Sequence, residues 1–100
     1  MQASTKIAYA VYDSIAIYGV GKTPRSARTD SKQWVNNPNS VFVIPCSIEV
    51  LQGIKNDTIQ SDGHGYNEVS DTTGSRILVT TKQAEDHSSY KVLGDALIME

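Results

Sequence analysis

Residues 7–24 read IAYAVYDSIAIYGVGKTP, and the pattern in this stretch decides the fold. From Ile7 to Tyr12 the residues are small, aromatic or β-branched, the composition a strand prefers. Side chains alternate across a strand, so Ile7, Tyr9 and Val11 share one face and Ala8, Ala10 and Tyr12 the other. Asp13-Ser14 is a turn-forming pair, and Ile15 to Val20 resumes the same pattern. The two runs predict a hairpin with both faces partly covered. Thr23 then stands as the N-cap of a helix with Pro24 at its first position, where a missing N–H costs nothing.

Downstream, Pro24, Ala27, Ser31, Trp34 and Val35 fall on one stripe at about 100° per residue, which predicts that Trp34 packs on the sheet. Asn36-Asn37-Pro38-Asn39 closes this helix, because the residue before a proline resists the helical region. Val41 to Ile44 is a short apolar run expected as a buried strand that Pro45 ends. Ser47 caps a second helix with Glu49 in its first turn and Val50, Leu51 and Ile54 on one side. Gly53 weakens that helix by about 1 kcal/mol relative to alanine. Ser61 to Gly65 is a loop, and Tyr66–Val69 and Arg76–Thr81 are strands around the turn Asp71-Thr72-Thr73-Gly74. Lys82 to Ser89 is polar, a loop or a single helical turn. Tyr90–Leu93 and Ala96–Met99 are apolar again, with Gly94-Asp95 as a bulge or turn between them. The expected architecture is one α+β domain over residues 1–100, in the order β-β-α-β-α-β-β-β. It has a mostly antiparallel sheet with two helices on one face.

Composition narrows the functional classes. The chain has 100 residues, of which 39% are hydrophobic and 20% charged, ordinary values for a single globular domain. No stretch approaches the roughly 20 apolar residues of a membrane span, and the N-terminal run lacks signal-peptide features, so the expectation is a cytoplasmic protein without membrane association. A single cysteine excludes an internal disulfide and a multi-cysteine zinc site. The net charge of −2 argues against a dedicated nucleic-acid binder. The charge is unevenly placed: residues 1–40 hold five cations against two acids, and residues 41–100 hold nine acids against four cations. Such polarity steers a partner and permits a head-to-tail homodimer.

Four features bear on chemistry. Gly19-Val20-Gly21-Lys22-Thr23 matches the tail of a phosphate-binding loop, in which backbone amides wrap the phosphates. The glycine that the pattern needs five residues before Gly21 is Ala16, and no later apolar strand ends in a magnesium-binding aspartate. These glycines are therefore read as a strand exit, with a nucleotide- or anion-binding module at Gly19–Thr23 as an alternative. Cys46 precedes the second helix, where a helix dipole lowers a thiol pKa. Acting with His64 or His87 it makes the other alternative, a small cysteine-dependent enzyme; a lone cysteine behind VFVIP is more commonly a small buried hydrophobe. His64 and His87 have no ligand spacing with Asp62, Glu68 or Asp86, so no metal or other cofactor is expected. Finally, Arg25, Arg28 and Lys32 lie within about 60° of one another on the first helix, with Lys22 just before it. These four residues are the candidate partner-binding face, suited to an acidic partner surface or to phosphates.

IAYAVYDSIAIYGVGKTPRSARTDSKQWV, followed by VFVIPCSIEVLQGI, resembles a loose group of small proteins from bacteria, phages and plasmids. They open with a Tyr-Ala-Val-Tyr-Asp strand, continue through a Gly-x-Gly-x-Thr turn into a helix ending near a tryptophan, and begin a second helix at a Pro-Cys-Ser/Thr step. The resemblance spans residues 7–60 and implies a mobile-element or accessory protein; it carries over no active site. With no convergent catalytic set in the chain, the expected function is a small non-enzymatic binding protein. It would act by protein–protein contact as an inhibitor or accessory factor.

Overall fold

A computed structural model describes residues 4–13, 15–60, 62–63, 65–70, 74–86, 90–93 and 96–99. The architecture is α+β. Strands β1 (Ser4–Tyr12) and β2 (Ile17–Gly21) precede helix α1 (Pro24–Ser31), a 3-10 turn at Pro38–Ser40, strand β3 (Phe42–Ser47) and helix α2 (Ile48–Lys55). Strands β4 (Tyr66–Ser70) and β5 (Arg76–Thr80), helix α3 (Thr81–Asp86) and strands β6 (Tyr90–Leu93) and β7 (Ala96–Met99) complete it. The segment expected as loop or helical turn after Thr81 is thus the short helix α3, and the last apolar stretch is a strand pair. Among the described residues, no helix is long and apolar enough to cross a membrane.

The sheet runs β2-β1-β3-β5-β4, antiparallel except for β3 and β5, which run parallel through Cys46 and Leu78. The first residues of β1, Ser4 to Lys6, pair instead with β7, which pairs with β6. The hairpin turn expected at Asp13-Ser14 forms around Asp13, whose Oδ1 accepts the amides of Ile15 (3.0 Å) and Ala16 (3.1 Å). Its Oδ2 accepts the Tyr18 hydroxyl at 2.6 Å. Ile15 is left outside β2 and is 74% exposed.

Two expectations about the helices need correction. They lie on opposite faces of the sheet, not on one. Ala8, Ala10, Tyr12, Val20, Ile44, Cys46 and Leu78 form a single buried cluster with Val50 and Leu51 of α2. By strand alternation, Val11, Gly19 and Gly21 point the other way, and there α1 packs, with Ala27 wholly buried. A Cβ on Gly19 would stand 2.5 Å from Ser31 N, and one on Gly21 would meet Ser26 Oγ and stand 2.6 Å from Ala27 N. The absence of both side chains lets the helix lie directly on the strand. Trp34 does not pack on the sheet but is 66% exposed. α1 ends at Ser31, whose carbonyl accepts the amides of both Trp34 (2.9 Å) and Val35 (3.1 Å), so the chain tightens and turns before the helical stripe reaches the indole.

Pro45 does not end β3; it lies within the strand opposite Tyr9. The Val20 N–H bonds Asp30 rather than β1, so Ala10–Val20 is a non-hydrogen-bonded pair and Tyr9 bonds toward β2. On its β3 side Tyr9 is then in a non-bonded pair, and the N–H that proline lacks is not needed there. α2 follows expectation: Ser47 Oγ accepts the Val50 amide at 3.3 Å, and Val50 and Leu51 are buried. Gly53 gives room to the Ile59 side chain, and its carbonyl accepts the amides of Thr58 (2.9 Å) and Ile59 (3.0 Å).

Candidate binding surface on helix α1

The sequence that builds α1 also decides what it shows to solvent. Thr23 Oγ1 accepts the Ser26 amide at 3.1 Å, and Ser26 Oγ accepts the Thr23 amide at 3.0 Å, a reciprocal cap that anchors the first turn. With Ala27 and Ser31 buried against β2, positions 25, 28 and 32 are turned outward. Arg25, Arg28 and Lys32 are exposed, as the sequence predicts, and they do not simply face water. They line a groove of about 450 Å³ between α1 and the chain that returns over β1.

Val11, Val35, Pro38 and Val41 supply the apolar part of that groove, and Thr29 and Ser31 complete it. Among the described residues, no acidic side chain lines it. The far wall is held by the 3-10 turn, where Asn37 Oδ1 accepts the Asn39 amide at 3.0 Å and Ser40 Oγ donates to the Asn37 carbonyl at 2.7 Å. Among the described residues the ion pair is Arg76–Glu68, at 3.0 Å, so Arg25, Arg28 and Lys32 have no carboxylate partner there. Lys22, the fourth predicted cation, is not part of this groove. It lines a neighbouring hollow of about 740 Å³ with Arg25, Asp30, Leu51 and Lys55.

The cations are legible in the sequence; the apolar floor and the nearness of Lys55 are not. Val35 and Val41 flank an Asn/Pro-rich turn, and that flanking is the only signal in the sequence that they converge. Val11 is visible as a strand residue, but not as one whose buried side chain forms the base of this groove.

The other candidate sites resolve differently. Cys46 is fully buried in β3, and burial pushes its thiol up to about 12. A thiol in that state holds its proton near neutral pH and packs as a small hydrophobe. Its expected histidine partners, His64 and His87, lie outside the described residues, as do Asp71 to Thr73. The Gly19–Thr23 segment is occupied by packing, with the glycines against α1 and the Thr23 hydroxyl engaged by its own helix. Among the described residues, no group of three or more His, Cys, Asp or Glu side chains converges as a metal site.

Compared with family models, with curated proteins and with solved structures, the chain matches none of them.

Proposed function

We propose that the protein is a non-enzymatic binding protein that docks an acidic segment of a partner protein in the groove along α1. One observation carries the reading: Arg25, Arg28 and Lys32 line a concave surface with an apolar floor, and among the described residues no acid lines it and none of the three has an ion-pair partner. Unpaired cations beside an apolar floor suit a segment that alternates carboxylates with aliphatic side chains. The charges orient it and buried apolar area supplies most of the affinity. The enclosed Cys46 and the tightly packed glycines favour this reading over a thiol enzyme and over a nucleotide site.

In this reading the partner is a host protein met in the cytoplasm, and the protein inhibits or assists it by occupying its surface, in keeping with the mobile-element resemblance of residues 7–60. The test is fluorescence anisotropy with a labelled peptide alternating Glu and Leu, read at low and high salt. Binding should weaken with salt and fall about tenfold or more in R25E/R28E/K32E, since each exposed pair is worth about 0.2–1 kcal/mol and reversal adds repulsion. Equal binding by the variant, verified as folded by circular dichroism, would remove this groove from the account.

A further inference from the structure

On the other side of α1 lies a second cleft, of about 720 Å³, whose chemistry is opposite to that of the basic groove. Asp30, Asp57 and Asp62 line it together with Trp34, and among the described residues no cation does. Asp30 is held in place, because its Oδ2 accepts the Val20 N–H at 3.0 Å. The exposed large apolar side chains among the described residues are Trp34 and Ile15, and Trp34 belongs to this cleft. Trp34 forms part of the wall, and Ile15 directly precedes the lining residue Ala16. An indole open to solvent is a platform for a cation, and carboxylates around it complete the recognition of a guanidinium or ammonium group.

The shape favours a polypeptide over a free small cation. Ile17, Tyr18 and Gly19 of β2 line the cleft, and β2 pairs with β1 alone among the described strands. Asp30 takes the Val20 N–H, so the length of the open β2 edge left for an extended segment to lie beside is Ile17 to Gly19. We propose that this cleft docks a basic segment of a partner protein, with an Arg or Lys side chain seated between the Trp34 indole and the carboxylates of Asp57 and Asp62. The site is independent of the basic groove. A partner carrying one acidic and one basic segment would span α1 from both sides.

Trp34 is the protein's single tryptophan, so intrinsic fluorescence reads this cleft directly. The experiment titrates the full chain with a short Arg-rich peptide and, in parallel, with its Glu-for-Arg counterpart. The expected result is a saturable change in Trp34 emission with the basic peptide alone, and at least threefold weaker binding in D57N/D62N. Asp57 has φ 59, a conformation that asparagine also adopts readily, so the variant should keep the fold. A labelled basic peptide should likewise lose affinity for W34A, and R25E/R28E/K32E should bind it at least as well as the unaltered chain. No saturable change, or equal binding by D57N/D62N, overturns the proposal. So does an emission change that follows protein concentration without peptide, which would assign the cleft to a second copy of the chain.

Discussion

The Asp30 carboxylate accepts the backbone N–H of Val20 at 3.0 Å, so that helix α1 caps the edge of strand β2 at that residue. A free N–H on an edge strand invites pairing with another chain, and a carboxylate turned onto it satisfies the amide and blocks pairing at that point. Replacing Asp30 by alanine leaves that donor without its acceptor and should destabilise the fold by about 1–3 kcal/mol. The D30N change keeps a carbonyl acceptor at the same place and should cost less. Urea unfolding of the two variants checks the ordering, and D30A as stable as the unaltered chain would contradict the role given to the bond.

The glycines of β2 are required by packing rather than by ligand binding. In G19A the added methyl meets the backbone of Ser31, which cannot yield as a flexible side chain does, and the expected loss is about 1–3 kcal/mol. Gly74 is the contrast, with nothing within 4 Å of an added Cβ, but its φ of 90 makes any side chain there strained for conformational reasons alone. If G19A melts at the same temperature as the unaltered protein, the close approach of α1 to β2 is wrong.

Gln83 on α3 joins two chain junctions. Its Oε1 accepts from the buried Ser47 hydroxyl and from the Thr80 amide, both at 2.9 Å, and its Nε2 donates to Glu49 at 3.3 Å. Q83A should therefore cost about 1–3 kcal/mol, because Ser47 loses its acceptor at a position with no water access. Q83E keeps the acceptor but sets a second carboxylate beside Glu49, so it should be intermediate in stability. Thermal melts of the two variants measure the difference.

Stability should fall at both ends of the pH range, for different groups. At Asp13 burial pushes the pKa up, but the bonds from the Tyr18 hydroxyl and the Ala16 and Ile15 amides outweigh it, and the value is lowered from the ordinary 3.8. A lowered carboxyl contributes stability above its unfolded value and loses it as pH falls through the folded one, so D13N should flatten the acid limb. Burial raises the Cys46 thiol from 9.0 and the Tyr66 phenol from 10.0, each to about 12. Their neutral forms stabilise the fold fully below the unfolded values, and that contribution is lost as pH rises toward about 12. Melting temperature against pH reads both limbs. A native-state thiol that a soluble disulfide reagent modifies quickly near neutral pH would contradict the burial of Cys46.

The strand-turn-strand-helix opening is legible because local signals agree there: alternation from Ile7 to Tyr12, an Asp at the turn, and Thr23-Pro24 at the helix start. The second helix is legible from Ser47 and the spacing of Val50, Leu51 and Ile54. Trp34 departs from its expected place because helical periodicity says nothing about where a helix stops, and Ser31 ends it one turn early. Pro45 departs because its missing N–H matters only on one side of a strand, and that side depends on a register set by Asp30 and Val20, ten residues apart in sequence. The placement of the helices on opposite faces is not legible either, since it follows from glycines that admit α1 on the side away from α2. For the binding surface, the cations are plain in the sequence and the groove is not: Val11, Val35 and Val41 come together only through tertiary folding.

The central claim, that the α1 groove is a partner-docking surface, is tested most directly by affinity capture from lysate of the native host. The unaltered chain, R25E/R28E/K32E and N67E, a control at an exposed position of β4, are captured side by side and read by quantitative mass spectrometry. One stoichiometric partner bearing an acidic segment is expected, retained by N67E and lost by the triple variant. A partner held equally by all three would contradict it.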